Sequence, residues 1–182
     1  GSIGVKDGRI TGLGEVEGDA KEVIDGEGLV ALPGFIDSHS HHDHWILQFP
    51  LCESYVLQGI TTFIGGQCGT SPAPIGDLIH LDGISFGSEF MEDLVPYKYY
   101  PDKDMFPREE VSDMLEDRVG YRLSWRTMRE FFEVVEEKGI TCNFVPLVGH
   151  RNVRSLVLEE DYKRAATKAE IGEMTEHIHQ AM

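Results

Sequence analysis

The residues best suited to chemistry crowd into one stretch, Pro33-Gly34-Phe35-Ile36-Asp37-Ser38-His39-Ser40-His41-His42-Asp43-His44. An apolar run (Leu29 to Leu32, then Phe35 and Ile36) stops abruptly at this cluster. In extended chain, residues two apart point the same way. His39 and His41 can therefore aim both imidazoles at one ion while Ser40 faces away. Neutral imidazole is a preferred ligand for zinc and similar metals. A buried strand that delivers two His at its C-terminal end is how an α/β barrel builds a metal site. That coincidence favours a metal site over a His-rich surface loop. Asp43 suits two roles, a carboxylate that orients a ligating His or a loop and cap residue. His42 and His44 read as neighbours of the site or as surface residues.

Two further stretches carry weight: Gly65-Gly66-Gln67-Cys68-Gly69-Thr70-Ser71-Pro72-Ala73-Pro74 and Leu147-Val148-Gly149-His150-Arg151-Asn152-Val153-Arg154. The first block, P-G-F-I-D-S-H-S-H, resembles the first-strand signature of the amidohydrolase superfamily. The second resembles the G-N-C-G-x-S-x-A-P segment of the N-acyl-D-amino-acid deacylases (D-aminoacylases), and the third their L-V-G-H-x-x-L-R segment. The three come in the family's order. Gln67 stands where Asn is usual and Val153 where Leu is usual.

Considered alone, Cys68 would sooner be a buried, inert thiol, the commoner fate of cysteine. Gly65, Gly66 and Gly69 would let the backbone bend around it. The resemblance implies the other role, because these enzymes use the Cys of this motif as a metal ligand. It also implies hydrolysis of the amide of an N-acyl-D-amino acid, with zinc (one or two divalent ions) as cofactor. The general base would be a carboxylate from a late barrel strand, with two more His ligands from middle strands. None of these can be placed in this sequence, so the catalytic residues are unknown and the chain is expected to be inactive alone. In the barrel reading His150 sits at the catalytic rim with Arg151 and Arg154 nearby. An Arg could pair bidentately with a substrate carboxylate, or all three could cap and pack the strand end.

Other readings are a cyclic-amide hydrolase of the same superfamily (dihydroorotase or hydantoinase type) and a non-catalytic barrel scaffold. His177 and His179 also spell H-x-H, but on an expected helix they face different ways and read as surface residues.

The elements that must position these groups read as α/β. The expected architecture is three β/α units of a TIM-type barrel (residues 32–182), preceded by part of a small β-sandwich (residues 1–31). Asp7-Gly8 between apolar residues predicts a hairpin, and residues 25–28 a turn. Leu29–Asp37 reads as the first barrel strand, Leu51–Gln58 as a helix ended by Gly59, and Ile60–Ile64 as the second strand. Residues 72–123 form a long irregular insertion with a short helix at Glu109–Val119. Ser124–Lys138 is expected as a helix capped by Ser124, with Trp125, Met128, Phe132 and Val135 on one face. Ile140–Val148 is the third strand. Thr167-Lys168-Ala169-Glu170 is a capping box opening a helix whose Ile171, Met174, Ile178 and Met182 share a face. A closed barrel needs eight units, so the chain reads as the N-terminal part of a longer enzyme. An exposed barrel edge would invite self-association.

The 182 residues, 41% hydrophobic and 26% charged, suit a globular protein. Sixteen basic against 32 acidic residues leave a net charge of −16, which disfavours nucleic acid. No apolar run is long enough to span a bilayer. Three Cys without a C-x-x-C point to a reducing, cytoplasmic setting rather than a disulfide framework. The partner expected is a small-molecule N-acyl amino acid.

Overall fold

A computed structural model of the chain describes residues 1–43, 45–80 and 105–182. It divides into two compact units, Gly1–Pro33 and Gly34–Met182. His44 and the middle of the expected insertion, residues 81–104, lie outside the described residues.

In the first unit β1 (Ser2–Lys6) pairs antiparallel with β2 (Arg9–Gly14). The turn is the expected one: Asp7 and Gly8 both take left-handed backbone, φ 51° and 72°, as a two-residue hairpin loop requires. A turn closes with Leu29 N–H donating to Gly26 O at 3.0 Å. The expected strand from Leu29 is shorter than its apolar pattern. Leu29, Val30 and Leu32 are exposed and belong to no strand. Pro33 has no N–H to donate, and the first ladder bond comes from Phe35 N–H to Gly59 O at 2.8 Å.

The second unit is built on a three-stranded parallel sheet. Its strands are β3 (Phe35–Asp37), β4 (Ile60–Gly65) and β7 (Asn143–Pro146), in the order β3-β4-β7. Between β3 and β4 lie two single-turn helices, α1 (Trp45–Gln48) and α2 (Glu53–Val56). The second is shorter than expected and is followed by Gly59 at φ 78°. Between β4 and β7 the chain forms an antiparallel pair, β5 (Leu78–His80) with β6 (Met105–Pro107), then α3 (Arg108–Val119) and α4 (Met128–Lys138). The described part of the expected insertion thus contains β5, β6 and α3, and α3 covers the expected helix. After β7 come α5 (His150–Leu158) and α6 (Lys168–Ala181).

Two expectations about α4 are corrected. Its cap is Thr127, not Ser124: Glu130 N–H donates to Thr127 Oγ1 at 3.2 Å, and Thr127 N–H donates to the Glu130 carboxylate at 2.9 Å. That reciprocal pair needs a Glu three residues on, which Ser124 lacks. Starting there, the buried face is Met128, Phe131 and Val135, while Phe132 is exposed. The capping box of α6 forms as read, between Thr167 and Glu170. Of its expected apolar face only Met174 is buried, because Ile171, Ile178 and Met182 are exposed.

The core lies on one side of the sheet. Phe63 of β4 is fully buried and stacks on Phe144 of β7, with ring centroids 4.8 Å apart. Phe131 of α4 meets Phe144 edge-on, and Trp125 meets Phe131 at 5.0 Å. The indole N–H of Trp125 donates to Pro72 O at 2.8 Å, so this large side chain is buried with its polar atom satisfied. A smaller cluster of Val153, Leu158 and Met174 joins α5 to α6.

Candidate metal centre

The parallel ladder does not stop at Asp37. Ser40 N–H donates to Ile64 O at 3.0 Å, carrying extended chain past the end of β3. Ser40 is buried; its hydroxyl shares a hydrogen bond with Tyr55 OH and accepts from His42 N–H at 3.1 Å. With Ser40 fixed inward, alternation turns His39 and His41 outward to the same side, both exposed. Their rings lie 5.3 Å apart at 64°. Asp37 Oδ1 accepts from His39 N–H at 3.1 Å and fixes the start of this loop.

At the end of β4 the chain turns sharply. Gly66, Cys68 and Gly69 have φ of 71°, 55° and 84°. Left-handed backbone at a non-glycine residue costs about 1–2 kcal/mol, and here it aims the thiol. Cys68 Sγ lies 3.5 Å from His39 Nε2. The donor atoms of His39, His41 and Cys68 all fall within 4.8 Å of one another. Two imidazoles and a thiol so placed are a donor set that zinc favours, and the residues present fit such an ion.

The turn is tied down on three sides. Gln67 Nε2 donates to Ser38 O at 3.0 Å, joining the Cys loop to the His loop. Asp43, 1% exposed, accepts from Gly66 N–H at 2.5 Å through Oδ1. Burial pushes the Asp43 carboxyl up to about 6, against the pull of the Gly66 N–H. Through this bond Asp43 ties the His loop to the Cys loop. His42 packs edge-on against Tyr55 and Phe63, and burial lowers its pKa.

The third tie is a knot that the sequence reading missed. Ser71 N–H donates to Asn152 Oδ1 at 2.9 Å, and Asn152 Nδ2 donates to Ser71 O at 2.7 Å. Gly149 N–H donates to Ser71 Oγ at 2.9 Å, and Ser71 Oγ to Ala73 O at 2.6 Å. Ser71 and Asn152 are both buried. A Cβ on Gly149 would sit 2.6 Å from Gly69 O, so the two motif stretches interlock backbone to backbone. Their shared polar residues were the available signal.

His150, exposed, is the first residue of α5 and is not part of the donor cluster. Arg154 Nε donates to Tyr162 O at 2.6 Å and Nη2 donates to Arg164 O, a packing role near the end of α5. On α6, His177 is half-buried and His179 exposed. Neither joins the donor cluster.

No family model matches the chain. Two curated proteins of Alcaligenes xylosoxydans xylosoxydans align over essentially all of it. An N-acyl-D-aspartate deacylase is 32% identical over 100% of this chain, and a D-aminoacylase 29% identical over 99%. The chain is a homologue of the N-acyl-D-amino-acid deacylases. The deacylase-like chain spans about 30% of the length of those relatives. Its fold is similar to the crystal structure of an N-acyl-D-glutamate deacylase from Bordetella bronchiseptica, with TM-score 0.71 and 26% identity over 98% of this chain and 31% of that one. That protein was crystallised with zinc and a phosphonate inhibitor that mimics its tetrahedral intermediate.

Proposed function

We propose that this chain is the metal-binding portion of an N-acyl-D-amino-acid deacylase, hydrolysing the amide of a small N-acyl amino acid. The observation that carries the reading is the convergence of His39, His41 and Cys68, with donor atoms within 4.8 Å of one another, in a deacylase homologue. These three residues would hold one or two divalent ions, zinc first among them. When bound, such an ion supplies Lewis acidity, polarising an amide carbonyl and lowering the pKa of water.

The chain's own residues do the rest of what can be assigned. Cys68 must give up its proton to ligate, so metal uptake releases a proton. Ser40 and Asp37 hold the imidazoles to one side, and the glycines beside Cys68 let the thiol approach them. His150, exposed beside this turn, is a candidate for contact with substrate. The parallel order β3-β4-β7 is that of consecutive strands in a TIM barrel. The exposed Ile36, Val145 and Leu147 would be covered by further strands, or in their absence by self-association. Among the described residues no helix is long and apolar enough to cross a membrane. Three Cys without a C-x-x-C remain the ground for proposing a reducing, cytoplasmic setting.

The whole-chain likeness to deacylases favours this reading over a cyclic-amide hydrolase. A substrate panel tests it on the zinc-loaded full-length enzyme that carries this segment: N-acyl-D-amino acids, their L-enantiomers, dihydroorotate and a hydantoin. Release of free D-amino acid alone is expected. Turnover confined to the cyclic amides would overturn it.

A further inference from the structure

The Asp43 carboxylate accepts from the Gly66 amide, two residues before the Cys68 thiol in the chain. Asp43 lies two residues beyond His41. Between the two loops, Gly66 N–H donates to the buried Asp43 Oδ1 at 2.5 Å. The glycines around it leave no room for anything else. A Cβ on Gly65 would come within 2.2 Å of Asp43 Oδ1, and one on Gly66 within 2.1 Å of Leu147 O. The segment so held contains Gly66, Cys68 and Gly69 in left-handed backbone. Glycines give such a segment many alternative paths, so something must select this one. Gln67 offers a second tie to Ser38, but that bond is exposed, where water competes for both partners.

We infer that Asp43 is a positioning residue for Cys68, acting through the Gly66 amide to hold the thiol within reach of the two imidazoles. The residue therefore links the His loop to the Cys loop directly, instead of orienting a ligating His from behind. Removing it should leave His39 and His41 in place while the thiol wanders. The loss would appear as weaker binding and, above all, as loss of sulfur from the coordination of the ion. Partners that orient ligands are commonly worth about ten- to a hundredfold in metal affinity. This inference rests on the metal-centre reading above.

The test is cobalt(II) titration of metal-free purified protein, followed by the thiolate-to-cobalt charge-transfer band, for wild type, Asp43→Ala and Asp43→Asn. Wild type should show the band. Asp43→Ala should lose most of it, with affinity down by about ten- to a hundredfold. Asp43→Asn, whose amide oxygen can still accept from Gly66, should keep it. A wild-type protein without the band refutes the metal centre itself and this inference with it. A wild-type band that persists unchanged in Asp43→Ala refutes the inference alone, as does its loss in Asp43→Asn. Should Asp43→Ala not fold, the Gly66 amide decides the matter in wild type by nuclear magnetic resonance. It should be shifted downfield and protected from hydrogen exchange, and a fast-exchanging Gly66 amide overturns the proposal.

Discussion

Gly66→Ala and Gly120→Ala place the same side chain on nearly the same backbone in very different surroundings. Gly66 has φ 71° and Gly120 φ 76°, so each alanine meets the left-handed penalty of about 1–2 kcal/mol. Around Gly120, at the C-cap of α3, a new Cβ meets nothing within 4 Å. Around Gly66 it would lie 2.1 Å from Leu147 O and 2.7 Å from Leu147 C, which are backbone atoms that cannot rotate away. Either the Cys68 turn or the chain after β7 must then move by roughly 1 Å, a rearrangement of the kind that costs about 1–3 kcal/mol. Gly66→Ala should therefore destabilise by about 2–5 kcal/mol and Gly120→Ala by about 1–2 kcal/mol. Both positions lie in the same compact unit, so urea unfolding at constant m compares them on one scale. Cobalt binding provides the second readout: Gly66→Ala should weaken it and Gly120→Ala should not. Equal losses of stability for the two variants, within about 0.5 kcal/mol, would refute the claim that close backbone contact fixes the Cys68 turn.

Asn152→Ala strands the buried N–H and C=O of Ser71, and each such group left without a partner costs about 1–3 kcal/mol. Urea unfolding should show a loss of about 2–5 kcal/mol; a loss below 1 kcal/mol would show that the knot is dispensable. Glu170, bonded to Arg164 and to Thr167 N–H, has its carboxyl pulled down from 4.5 to about 2, chiefly by Arg164. A depressed carboxylate stabilises the fold above its unfolded pKa, and that stability is lost as pH falls through the folded value. Glu170→Gln should therefore flatten the stability profile between about pH 4.5 and pH 2. An unchanged slope in that window would contradict the capping and ion-pair account.

The two His of the candidate site were legible because their signal is local. The strand period alone puts His39 and His41 on one side, and Ser40, turned inward to Tyr55, enforces it. Cys68 was not legible from its own type. Its role depends on left-handed backbone beside two glycines and on a tie to Asp43, a residue 23 positions away along the chain from Gly66. Only the resemblance singled it out. The Ser71–Asn152 knot is longer in range still, spanning 81 residues, and no periodicity announces such a pair. The misplaced cap shows a different limit. Ser124 and Thr127 both suit a cap by type, and the Glu130 carboxylate chooses between them. The strand expected from Leu29 failed because apolar composition does not supply a partner edge. The ladder begins only where Phe35 reaches Gly59 O.

The central claim is that two imidazoles and one thiolate from this chain share an ion. X-ray absorption spectroscopy of the zinc-loaded purified protein tests it most directly. The account predicts a sulfur shell near 2.3 Å and nitrogen near 2.0–2.1 Å, with the sulfur shell lost in Cys68→Ser and nitrogen retained. A zinc environment of oxygen and nitrogen only, the same in wild type and Cys68→Ser, would contradict it.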